Sequence, residues 1–150
     1  MEGGFMFITP SHVLLVDDEE DFLEMLSLRL KESGESVLTA NSGEKGLSVL
    51  EEEAVDVVIL DVKMPDMDGI ETLQEIKKRH PLIEVIMLTG HGTIHTAVQG
   101  MKLGAFDFLL KPADFSELLE MLKQARQRYR DQAERIQKAE AAMSLRRSRI

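Results

Sequence analysis

The stretch "VVILDVKMPDMDG", residues 57–69, decides how the rest of the chain is read. Val57 to Leu60 form an unbroken apolar run that suits a strand covered on both faces. The run ends on a carboxylate, Asp61, and the chain then turns through Pro65 and Gly69. A charge at such a place is costly unless other groups receive it. Its counter-charges must come from other parts of the chain.

Outward from this stretch, short apolar runs alternate with helical patterns. On the N-terminal side, "HVLLV" (12–16) is a β-rich run that ends at Asp17 and Asp18. Residues 19–34 place Phe22, Leu23, Leu26 and Leu30 on one helical face, with Gly34 as the stop. "SVLTA" (36–40) is a second strand. Ser42 is suited to cap a helix that turns Leu47 and Leu50 inward. "VDVVIL" (55–60) is the third strand.

On the C-terminal side, residues 69–80 read as a helix with Ile70, Leu73 and Ile76 inside, closed by Pro81. "EVIML" (84–88) is a fourth strand. Residues 93–105 are a weaker helix, because Gly100 inside it costs about 1 kcal/mol relative to alanine. "FDFLL" (106–110) is a fifth strand, and from Asp114 the pattern is helical to near the end. Five strands alternating with five helices predict an α/β fold with a parallel sheet and right-handed crossovers. For 150 residues the expected form is a flavodoxin-like three-layer sandwich of strand order 2-1-3-4-5, its last helix extended. Such sheets bind ligands beyond the C-terminal ends of their strands, at the switch point between the first and third.

The residues at those ends are chemically pointed. Asp17 and Asp18 follow strand one, Asp61 strand three, Thr89 strand four, and Lys111 strand five. Strand two, expected at the sheet edge, ends on nothing comparable. Three carboxylates brought together repel one another, and a hard divalent cation relieves this. Mg²⁺ is the expected ion, held by Asp18, Asp61 and the main-chain carbonyl of Lys63, with Asp17 acting partly through water. Lys111 supplies a compact positive charge, and Thr89 a hydroxyl donor. A carboxylate beside Mg²⁺, a lysine and a hydroxyl is equipped to attack phosphorus and form an aspartyl phosphate. Taken singly the residues read more plainly: Asp17 and Asp18 as a helix cap, Thr89 as a turn residue. Their joint order and spacing favour a site.

The composition bounds the alternatives. A hydrophobic fraction of 43% and a charged fraction of 30% are ordinary for a globular protein. The absence of cysteine excludes disulfides and thiolate metal sites. No apolar run is long enough to span a bilayer, and no secretory signal is legible, so a cytoplasmic location without membrane contact is expected. The net charge of −9 is uneven: residues 1–115 hold 22 acids against 9 bases, and residues 116–150 hold 5 against 9. The acidic part repels nucleic acid, and direct nucleic-acid binding is not expected. The basic tail reads as a solvated helix.

The set "LLVDDE", "VVILDVKMPDMDG", "MLTGHG" and "FLLKP" resembles the receiver domain of bacterial two-component response regulators, over about residues 12–126. The stretch "TGHGTIHTAVQGMKLGAFDFLLKP" is most similar to receivers of nitrogen-regulation-type activators. The resemblance implies that Asp61 accepts a phosphoryl group from a sensor histidine kinase or a phosphotransfer protein. It implies that Asp17 and Asp18 hold Mg²⁺, and that Thr89 and Lys111 sense the phosphoryl group. Phe108 matches the family's switch aromatic; packed in an apolar strand, it also reads as simple core filling. His91 and Lys63 fall where the family tunes phosphoryl lifetime. His91 and His95, without further ligands, do not read as a metal site.

The expected organisation is an N-terminal segment (1–11), a receiver domain (12–126) and a helical extension (127–150). The expected activity is that of a signalling switch rather than an enzyme, with phosphoryl transfer and slow dephosphorylation only. Its output surface is helix four, strand five and helix five, controlling homodimerisation or a partner. In the tail, Leu118, Leu122, Ala125, Tyr129, Gln132, Ile136, Ala139 and Met143 follow a heptad seam with one polar slip. Its later members suit a coiled-coil homodimer or a linker to a further domain. The end at "SLRRSRI" favours the N-terminal receiver part of a larger sigma-dependent transcriptional regulator. A metal-dependent phosphatase is the lesser alternative, since it needs an acid two residues after Asp61, where Lys63 stands. A flavodoxin-like cofactor binder would need a glycine-rich loop after strand one, where the acids stand.

Overall fold

β3 (Val55–Asp61) is the centre of a five-stranded parallel sheet, and every one of its residues is buried. The computed structural model describes residues 11–62, 68–90 and 94–148. Around β3 lie β1 (His12–Val16), β2 (Val37–Ala40), β4 (Glu84–Thr89) and β5 (Asp107–Leu110), in the order β2-β1-β3-β4-β5. The helices are α1 (Glu20–Glu32), α2 (Gly43–Glu52), α3 (Gly69–Arg79), α4 (Ile94–Lys102) and α5 (Phe115–Ser148). This is the expected flavodoxin-like topology. β1, β3 and β4 are apolar on both faces because helices cover both.

One face of the sheet packs on α1 and α5: Val13, Leu15, Val57, Ile59, Ile86 and Leu88 meet Leu23, Leu26, Leu30, Leu118 and Leu122. The other packs on α2, α3 and α4: Leu14, Leu60, Val85 and Met87 meet Leu47, Leu50, Leu73, Ile76 and Ala97. The two sets alternate along each strand, as a period of two requires. Ser42 caps α2, its hydroxyl accepting from the Lys45 N–H at 3.1 Å. Ile70, expected inside, is half-buried.

Gly100 has a different meaning from the weak point read in the sequence. A Cβ there would overlap the sulfur and methyl of Met87, so its absence lets α4 lie against β4. Gly69 is tighter still. A Cβ there would overlap the Val62 Cα and lie 2.6 Å from the Val62 carbonyl oxygen and 2.7 Å from that of Asp61. These are backbone atoms and cannot swing aside. Gly69→Ala is therefore expected to cost about 3 kcal/mol, the upper end for overpacking. Thermal unfolding should show a midpoint lowered by roughly 10 °C.

The basic tail is not merely solvated. Arg126 of α5 donates from Nε to Asp56 Oδ2 at 2.8 Å, and from Nη2 and Nη1 to the two Glu35 oxygens at 2.7 and 3.1 Å. Arg128 Nε lies 3.2 Å from the buried Glu84. These pairs fasten α5 across the N-terminal ends of β3 and β4. Farther along, Ile136 and Met143 are exposed.

Candidate functional site

Backbone ladders bring the pointed residues to the C-terminal rim of the sheet. Asp17 follows β1, and its N–H donates to the Ala40 carbonyl at 3.2 Å. Asp61 is the last residue of β3 and Thr89 the last of β4. The Lys111 N–H donates to the Thr89 carbonyl at 2.7 Å, which carries the β4–β5 ladder one step beyond β5. Chain segments separated by up to 94 residues thus meet at one end of the sheet.

Asp17, Asp18 and Asp61 each offer a carboxylate oxygen, and these oxygens lie within 4.8 Å of one another. Asp17 and Asp61 are buried, while Asp18 is exposed. Lys111 Nζ donates to Asp17 Oδ2 at 2.9 Å and lies 3.6 Å from Asp61 Oδ1. Burial pulls the Lys111 ammonium down from its ordinary pKa. The hydrogen bond to Asp17 and the charges of Asp61, Asp17 and Glu19 outweigh this, and the net shift is upward. Lys111 is therefore fully charged at neutral pH. Even so, among the described residues one ammonium faces three carboxylates at close range.

That imbalance fits a divalent cation. All three donors are hard oxygens, and the exposed Asp18 leaves the cluster open to solvent on one side. The Thr89 hydroxyl is a second sign of a missing ligand. It is fully buried and has no hydrogen-bond partner among the described residues. A buried hydroxyl left unpaired costs about 1–3 kcal/mol, and a phosphoryl oxygen would pair it.

Four of the anticipated residues, Asp17, Asp18, Asp61 and Lys111, come together at contact range, and Thr89 stands on the strand next to Asp61. The carbonyl of Lys63, together with Pro65 and His91, lies outside the described residues. His95 is exposed on α4, away from any acid–histidine cluster among the described residues. Phe108 is half-buried and packs on the α2–α4 side of the core. Asp17 and Asp18 do not cap α1. Its N-cap is Glu19, with no side-chain cap bond, and Asp17 Oδ1 instead accepts from the Glu19 N–H at 2.9 Å.

Two features of the site went unread in the sequence. Asp68 caps α3 in a reciprocal box with Glu71: Asp68 Oδ1 accepts from the Glu71 N–H at 2.9 Å, and the Asp68 N–H donates back at 3.4 Å. The D-x-x-E spacing before an apolar helix was a legible signal for it. Phe22, assigned to the core face of α1, stands over the site with Lys111 Nζ 4.4 Å from its ring centroid.

Comparisons with known proteins agree with this geometry. A family model described as the response regulator receiver domain matches residues 13–123. The transcriptional regulatory protein GlrR of Escherichia coli K12 is 47% identical over 116 residues, covering 77% of this chain and 26% of GlrR. A putative NtrX-like response regulator of Rickettsia bellii is 44% identical over 115 residues, covering 75% and 24%. The chain thus spans about a quarter of the length of these curated relatives. Among solved structures, a receiver domain protein from Clostridium thermocellum superposes with a TM-score of 0.76 at 41% identity, covering 79% of this chain and 95% of that one. NtrX from Brucella abortus gives 0.78 at 33% identity, covering 84% and 29%.

Proposed function

The chain belongs to the response regulator receiver domain family of two-component systems, and from that premise we propose that it is a Mg²⁺-dependent switch that takes a phosphoryl group on Asp61. The observation that carries the reading is the convergence of Asp17, Asp18, Asp61 and Lys111 at one rim, beside the Thr89 hydroxyl, which is buried and has no partner among the described residues.

In the proposed reaction an Asp61 carboxylate oxygen attacks the phosphorus of a phosphohistidine on a sensor kinase or phosphotransfer protein. The new O–P bond forms as the P–N bond breaks. The electron pair stays on the imidazole nitrogen. The Lys111 ammonium stands where negative charge gathers on the transferring oxygens. The Thr89 hydroxyl donates to a phosphoryl oxygen once it arrives. Asp17 holds Lys111 in place through its 2.9 Å hydrogen bond. Mg²⁺, held by Asp17, Asp18, Asp61 and the Lys63 carbonyl, would offset carboxylate repulsion and stabilise the charge of the phosphoryl oxygens.

The output surface of the proposal is α4, β5 and α5, where Ile94, Val98, Met101 and Leu110 are exposed apolar residues. Thr89 and Phe108 are the proposed switch pair. Their rearrangement would bias an equilibrium already present in the unmodified chain. A second, compatible reading is supported by the coverage of GlrR and NtrX. In it the chain is the receiver portion of a larger transcriptional regulator, and α5 with its exposed Ile136 and Met143 leads to the next domain or to a second copy.

The test is intact mass after incubation with Mg²⁺ and a small phosphodonor. The expected result is one added phosphoryl group, abolished by a chelator. Sustained phosphate release at rapid turnover would favour a phosphatase instead. Mg²⁺ alone should also stabilise the fold, because it binds the assembled cluster and not the unfolded chain. At one hundred times the dissociation constant the gain is about 2.7 kcal/mol. Urea unfolding with and without Mg²⁺ checks this, and Asp18→Asn is expected to remove most of the increment.

A further inference from the structure

We propose that Phe22 is a positioning residue for Lys111: its ring face covers the ammonium and holds it toward Asp17 and toward Asp61, the carboxylate that receives the phosphoryl group. The proposal deepens the function above and rests on it.

Lysine has a flexible four-carbon stem and a strongly hydrated head. Several partners surround the head of Lys111. Asp17 Oδ2 is at 2.9 Å, Asp61 Oδ1 at 3.6 Å and Glu19 Oε1 at 3.9 Å. The Glu19 side chain is 70% exposed, whereas those of Asp17 and Asp61 are 3% and 7% exposed. Left to itself, the ammonium would gain hydration by turning outward toward Glu19 and solvent. The Phe22 ring opposes that turn. Its centroid is 4.4 Å from Nζ, within the range in which the negative ring face attracts a cation. The side chain of Lys111 keeps only 21% exposure. Phe22 is itself anchored, because it packs against the core on the α1–α5 side. The first turn of α1 therefore acts on the site through Lys111, by way of a ring that contributes no ligand atom of its own.

The attraction depends on the ring's electron density, and packing does not. This separates the two explanations. Phenylalanine at position 22 is replaced by mono-, di- and trifluorinated phenylalanine, which keep the ring's shape while withdrawing charge from its face. Phe22→Leu is the fourth variant. The phosphorylation rate with a small phosphodonor and saturating Mg²⁺ is measured by intact mass. The ε-methylene proton resonances of Lys111 are followed by NMR, since a ring face above them shifts them upfield. The rate is expected to fall stepwise along the fluorine series, reaching about fivefold with three fluorines and in Phe22→Leu. The upfield shift should vanish in Phe22→Leu. Equal rates across the fluorine series, with Phe22→Leu alone slowed, would assign Phe22 to packing and overturn the proposal. An unshifted Lys111 in the parent chain would overturn the contact itself. A parent chain that gains no phosphoryl group would instead overturn the underlying function, and the positioning role with it, even if the shift is seen.

Discussion

Asp61→Asn is expected to gain no phosphoryl group under conditions that label the parent chain fully, while folding at least as stably. The amide matches the carboxylate in size but has no charged oxygen with which to attack phosphorus. The loss should be complete by intact mass. The stability expectation has the opposite sign. In the absence of metal, three carboxylates have oxygens within 4.8 Å of one another, and among the described residues Lys111 is the lysine paired with them. Removing one charge relieves repulsion, so the urea midpoint without Mg²⁺ should hold or rise. The Mg²⁺-dependent increment should shrink, because one proposed ligand has lost its charge. A variant that still takes a phosphoryl group would move the acceptor to Asp17 or Asp18.

The largest expected loss of stability lies at the other end of the strands. Arg126→Met would leave the fully buried Asp56 and the largely buried Glu35 without their cation. Breaking such a group by removing one partner costs about 3–5 kcal/mol, mostly as uncompensated buried charge. The Arg126 guanidinium is itself held above its ordinary pKa, first by the hydrogen bonds to Glu35, against the pull of burial, with Asp56 adding to the rise. The folded-state pKa is raised, so this stabilisation is fully present below the unfolded-state pKa of arginine. It is lost only as pH rises toward the folded value, far above the working range, so the Arg126 contribution should not vary with pH near neutrality. Urea unfolding of the variant measures the loss. In an Asp56→Asn background the same substitution should cost less, since one of the stranded charges is gone. Phosphorylation of the folded fraction should be unchanged, because the network lies away from the rim that carries Asp61.

The strands and the rim were legible because every strand but the edge strand β2 ends its own apolar run on a chemically distinct residue. Fold topology then decided which of those ends would meet: Asp17, Asp18, Asp61, Thr89 and Lys111 needed no side-chain detail to be grouped. What stayed hidden depends on distance along the chain or on orientation. Arg126 finds its partners 70 and 91 residues away, and no local spacing announces that. Its charge was therefore assigned to a solvated helix. Phe22 has the periodicity of a core residue, and periodicity does not say that a ring at the first turn will sit over a lysine from β5's far end. Gly100 looked like a helix weakness because propensity is local, whereas the contact with Met87 that requires it is not.

The central claim is that the carboxylate of Asp61, and no other in the chain, is where the converging groups deliver a phosphoryl group. The most direct measurement is to label the parent chain with a small phosphodonor and Mg²⁺, reduce it with borohydride, and map the peptides by mass. Reduction turns an aspartyl phosphate into homoserine and marks its position. The expected result is homoserine at position 61 alone. Homoserine at any other aspartate, or a folded and Mg²⁺-bound chain with no mark at all, would contradict the account.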